Sequence, residues 1–63
     1  MKVYVVVEHP SMTHYGDAEI HAVETSREIA AQKARKATGE IGLPEWQDSE
    51  FDRIQIEEWD VKT

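Results

Sequence analysis

The run Val3-Tyr4-Val5-Val6-Val7 constrains this chain more than any other stretch. β-branched and aromatic residues favour a strand, and with odd and even positions both apolar, neither side of that strand suits water. Such a strand belongs in the middle of a sheet. Lys2 and Glu8 bound it, and a run this short falls well below the ~20 apolar residues that cross a bilayer, so it reads neither as a signal peptide nor as a membrane span.

The rest of the chain supplies its neighbours. Residues 9–17, broken by Pro10 and Gly16, make a connection longer than the two to five residues common in hairpins. A second strand is expected over Ala18 to Glu24, with Ile20 and Ala22 on one face and Glu19, His21 and Val23 on the other. Its weaker pattern makes it an edge. Thr25-Ser26-Arg27-Glu28 matches a capping box with Thr25 as N-cap, so a helix is expected from Ser26 to Thr38. Its apolar stripe is Ala30, Ala34, Ala37 and Ile41, with Gly39 as the positive-φ terminator and Lys33, Arg35 and Lys36 near the negative end of its dipole. Glu40 to Glu50 reads as a loop whose Trp46 plugs the end of the core. Phe51 to Val61 reads as a third strand, with Ile54 and Ile56 on one face and Phe51, Arg53, Gln55, Glu57 and Trp59 on the other.

Strand, strand, helix, strand is an α+β arrangement of ββαβ type. At 63 residues there is room for a single domain, residues 1–63. Antiparallel alternation gives the sheet order 2-1-3, with the most apolar strand central and the helix on one face. The helix is expected to cover Val3, Val5, Val7, Ile20, Ala22, Ile54 and Ile56. That leaves Tyr4, Val6, His21, Val23 and Trp59 on a face without a second layer, which a homodimer or the Glu40 to Glu50 loop would cover.

Charge narrows the function. The net charge is −6, and it is local: residues 1–40 hold 5 basic and 6 acidic side chains, whereas residues 41–63 hold Arg53 and Lys62 against 7 acids. Nucleic-acid binders normally present a cationic surplus, so direct nucleic-acid binding is not expected. With no cysteine, disulfides and thiolate metal sites are excluded, and the reducing cytoplasm is the expected compartment.

Reactive constellations are sparse. His9, His14, Asp17 and His21 carry metal-ligating groups, but no pair has the i, i+4 helical spacing of HExxH, and loop histidines in solvent are the plainer reading. Glu8, Glu57 and Glu58 come together if strands one and three are neighbours, yet one helix on three strands leaves little concavity to perturb a carboxyl. Ser11, Ser26 and Ser49 lack a GxSxG elbow. Gly39-Glu40-Ile41-Gly42 follows a helix instead of opening one, the wrong end of the dipole for phosphate. Arg27, Lys33, Arg35 and Lys36 read as a solvated helix face. No catalytic residue, cofactor or metal is expected.

The stretch that remains is acidic and aromatic together: Glu45, Trp46, Asp48, Glu50, Asp52, Glu57, Glu58, Trp59 and Asp60, with Phe51 among them. Carboxylates steer a basic partner, and an aromatic supplies the contact that dominates interface energy, with Trp46 or Trp59 in that role. The plainer alternative is that Trp46 and Phe51 are core and the acids protect an edge strand from aggregation.

The opening Met1-Lys2-Val3-Tyr4-Val5-Val6-Val7-Glu8, the capped alanine-rich helix and the acidic last strand resemble the very small proteins of phages and mobile elements, including anti-CRISPR inhibitors built on a short sheet and one helix. The resemblance implies a stoichiometric inhibitor in the host cytoplasm, binding a nucleic-acid-handling defence complex through acids. The expected function is thus a non-enzymatic module for a basic protein or nucleoprotein complex; a structural or regulatory homodimer is the alternative.

Overall fold

The computed structural model describes residues 1–9 and 18–62; the long hairpin tip, with Pro10, His14 and Asp17, lies outside them. Strand β1 spans Lys2–Glu8, β2 Glu19–Glu24, helix α1 Arg27–Glu40 and β3 Ile54–Asp60. The sheet order is β2-β1-β3 with both pairings antiparallel, so the valine-rich strand is central.

On β1 the helix covers the other face from the one expected, whereas Ala22, Ile54 and Ile56 lie beneath it as expected. Tyr4, Val6, Ala22, Ile54 and Ile56 pack with Ala30, Ala31, Ala34, Ala37 and Trp46 in one cluster, while Val3, Val5 and Val7 form a second, separate cluster. Register explains the exchange. Val6 lies opposite Ile56 and Val5 opposite Glu57, and directly opposed residues share a face. Strand β1 is apolar on both sides and does not choose; β3 does, because Ile54 and Ile56 lie on one side and Gln55 and Glu57 on the other. Ile20 and Val23 therefore flank the valines: they pair with Val7 and Val5 and stay 56% exposed each.

In β2 the register skips from Ala22 opposite Val6 to Ile20 opposite Val7. This bulge turns His21 from its expected place on the helix-free face, and its Nε2 lies 2.9 Å from Glu8 Oε1.

Both ends of α1 differ from expectation by one turn's detail. Ser26, in extended conformation, is the N-cap, its Oγ accepting from the Ile29 N–H at 3.4 Å. Thr25 lies one residue too early, so Glu28 does not close a box and acts through its charge in the first turn. At the other end Gly39 is helical and the positive-φ residue is Gly42, at φ 80°. Leu43 N–H donates to Thr38 C=O and Gly42 N–H to Gly39 C=O, both at 3.1 Å, the paired bonds of a Schellman cap. The longer helix leaves no basic residue in its last turn.

Alanines at 30, 34 and 37 bring the helix close to the sheet, Ala30 and Ala34 being fully buried. Thr38 joins this side by donating its hydroxyl to Ala34 C=O at 2.8 Å. Trp46 closes the end of the layer, 8% exposed. No helix among the described residues is long and apolar enough to cross a membrane.

Candidate functional site

Strand β3 begins three residues later than expected because Asp52 folds the preceding backbone into a turn. Its Oδ2 accepts from Gln47 N–H at 3.1 Å and Ser49 N–H at 2.8 Å, and its own N–H donates to Ser49 C=O. Local carboxylate-to-backbone bonds of this kind compete with a strand. Ser49 Oγ accepts from Phe51 N–H at 3.1 Å, and the Gln55 amide donates to Glu50 C=O at 2.8 Å and Asp52 C=O at 3.0 Å. Asp48, at φ 56°, takes a left-handed conformation that asparagine and aspartate tolerate.

At the tip of this bonded loop Phe51 is 90% exposed. Neither of the readings that made it a strand or core residue holds. Trp46 has the opposite fate: its ring is buried, its indole N–H donates to Ile54 C=O at 2.9 Å, and Arg35 lies over it at 5.8 Å from the centroid. It plugs the core and is not free to anchor a partner. Trp59 is 49% exposed, its indole N–H donating to Glu57 Oε1 at 2.9 Å.

The acids sort by what they touch. Glu58 pairs with Lys2 at 3.2 Å, Asp60 with the Met1 amino group at 3.4 Å, and Asp48 with Arg27 at 2.8 Å. Glu57 Oε2 lies 3.9 Å from His9 Nε2. All these groups are substantially exposed, so each pair contributes little to stability and each carboxylate keeps an open side. Glu45 and Glu50 have no ion-pair partner among the described residues. The sequence does not separate Asp52, whose carboxylate holds a turn, from Glu45 and Glu50, whose carboxylates have no ion-pair partner among the described residues.

The basic helix face is largely committed, Arg27 to Asp48, Lys33 to Glu24 and Arg35 to Trp46. Glu8 sits between His21 and Arg53, whose Nε is 3.3 Å from Glu8 Oε2. It is four ladder positions from Glu58, so Glu8, Glu57 and Glu58 do not converge. Glu8, Glu19 and His21 bring their ligand atoms within 4.8 Å of one another, a set that could take a cation only by giving up the Arg53 and His21 contacts. Of the earlier metal candidates, His14 and Asp17 lie outside the described residues. Among the described residues, the open clefts beside His21 and Lys36, about 230 Å³, and beside Trp46 and Gln55, about 170 Å³, are smaller than usual small-molecule sites of ~300–1,000 Å³.

Fold and site together define a small ββαβ domain that presents an ordered acidic loop and an acidic edge strand. The chain belongs to the family described as Domain of unknown function (DUF7336), which matches residues 1–63. No curated protein and no solved structure matches it.

Proposed function

We propose that this chain is a non-enzymatic protein-binding module that captures a basic protein or nucleoprotein complex through its acidic C-terminal third, with Phe51 as the apolar anchor. The observation that carries this reading is Phe51 itself, 90% exposed on a loop whose backbone is held by Asp52, Ser49 and Gln55. A preorganised aromatic loses little entropy on docking, and water-excluded aromatics dominate interface energies. Glu45 and Glu50 nearby in the chain supply steering toward a pocket rimmed by lysine or arginine. Capture of a nucleic-acid groove in this way would be inhibitory, the phage-type role that the resemblance implies.

The test is affinity capture from a host extract with wild type and Phe51→Ala side by side. Basic proteins retained by wild type and lost with Phe51→Ala support the reading. Retention of only neutral or acidic proteins removes it.

A homodimer is the second reading, favoured by Ile20, Val23 and Trp59, 56%, 56% and 49% exposed around the valine stripe on the face away from α1. Light scattering at high micromolar concentration decides it, and a monomer there excludes it.

A further inference from the structure

The geometry points to the free edge of β3 as a docking strand for an extended, lysine- or arginine-rich segment of the partner, added to the sheet by backbone hydrogen bonds. This rests on the protein-binding reading above and names the mode of recognition.

Two bonds fix which backbone groups face outward. His9 N–H donates to Arg53 C=O at 2.8 Å and Val61 N–H to Met1 C=O at 2.7 Å, bracketing the β1–β3 ladder, in which Lys2 opposes Asp60 and Glu8 opposes Ile54. Hydrogen-bonded pairs alternate in an antiparallel ladder. The backbone groups of Gln55, Glu57 and Trp59 therefore serve β1, and those of Ile54, Ile56, Glu58 and Asp60 point away from the sheet.

The outward Ile54 carbonyl is already taken by the Trp46 indole at 2.9 Å. Ile56, Glu58 and Asp60 keep theirs, with no strand beside them among the described residues. The opposite edge is guarded by its bulge, whereas β3 pairs with β1 through seven consecutive positions without a shift. It has no proline and no outward lysine, the usual devices that blunt an edge.

Charge chooses the occupant. Glu57 lies on one face of the strand and Glu58 and Asp60 on the other, by their ladder partners Val5, Tyr4 and Lys2. An added strand bearing basic side chains would meet carboxylates on both faces. A second copy is disfavoured: a two-fold axis at Glu58 sets that carboxylate against its own copy, and like charges directly opposed destabilise a pair. A cleft of about 170 Å³ at the start of this edge is lined by Trp46, Glu50, Ile54 and Ile56, and Phe51 precedes β3 by three residues in the chain.

The probe is a synthetic octapeptide of alternating lysine and valine, compared with the same peptide N-methylated at alternate amides so that one edge cannot donate. Amide exchange and affinity are read on the intact chain. The expected result is slowed exchange at Ile56, Glu58 and Asp60 and at least tenfold weaker binding of the methylated peptide. Glu58→Pro, which removes an outward N–H that β1 does not use, should weaken binding at least tenfold, and Glu58→Gln only a few-fold. Equal binding of both peptides, with shifts around Phe51 and no protection on β3, overturns strand addition and leaves the binding reading standing. Failure of both peptides to bind at low salt overturns strand addition and also counts against a basic partner. Protection that rises with the chain's own concentration, without peptide, assigns the edge to self-pairing and overturns the proposal.

Discussion

The indole N–H of Trp46 donates to the backbone carbonyl of Ile54 at 2.9 Å. That bond ties the 41–53 connection to the first residue of β3, so the plug of the core and the start of the acidic edge are one structural unit.

Trp46→Phe should therefore cost about 1–3 kcal/mol, since it leaves the Ile54 carbonyl without its donor while keeping most of the ring's packing. Trp46→Ala, which also empties the site, should cost about 3–5 kcal/mol. Chemical denaturation of the two variants checks the order, and a Trp46→Phe variant as stable as wild type would show that the bond contributes nothing.

The two glycines near the end of α1 should respond with opposite signs. Gly39 is inside the helix and a Cβ there meets nothing within 4 Å, so Gly39→Ala should stabilise by about 0.5–1 kcal/mol. Gly42 also has open space but holds φ at 80°, so Gly42→Ala should destabilise by about 1–2 kcal/mol. Thermal unfolding reads both.

How much of this was legible in the sequence follows from the same residues. The order 2-1-3 could be read because Val3 to Val7 demands a central position and chain direction leaves few alternatives. The covered face could not, because a strand apolar on both sides fits either, and only the pairing of Val6 with Ile56 decides. The helix start was ambiguous between Thr25 and Ser26, adjacent residues with equivalent hydroxyls. Phe51 was misplaced because an aromatic beside Asp52 and Arg53 continues a β pattern on paper. The available signal was Asp48-Ser49 with Asp52 four and three residues on, side chains that favour local backbone bonds over a ladder.

The acids should separate by partner. Glu45→Gln with Glu50→Gln removes two carboxylates that no described cation holds, so stability should stay within about 0.5 kcal/mol. Association with a basic partner should slow and lose part of its salt dependence. Stopped-flow association at low and high salt measures this, and an unchanged on-rate would assign steering to other acids.

Ala34 is fully buried where α1 meets the sheet. Ala34→Leu should overpack that contact and cost about 1–3 kcal/mol. Denaturant midpoints check it; a neutral result would mean that the helix has room to move outward.

The most direct measurement is the affinity of a captured basic partner for wild type and for Phe51→Ala at one fixed salt concentration, with the stability of both recorded. Phe51 is exposed and makes little internal contact, so the variant should fold with unchanged stability and bind at least about 30-fold more weakly, the loss expected of a hot-spot aromatic. Equal affinity in a stably folded Phe51→Ala would contradict the account.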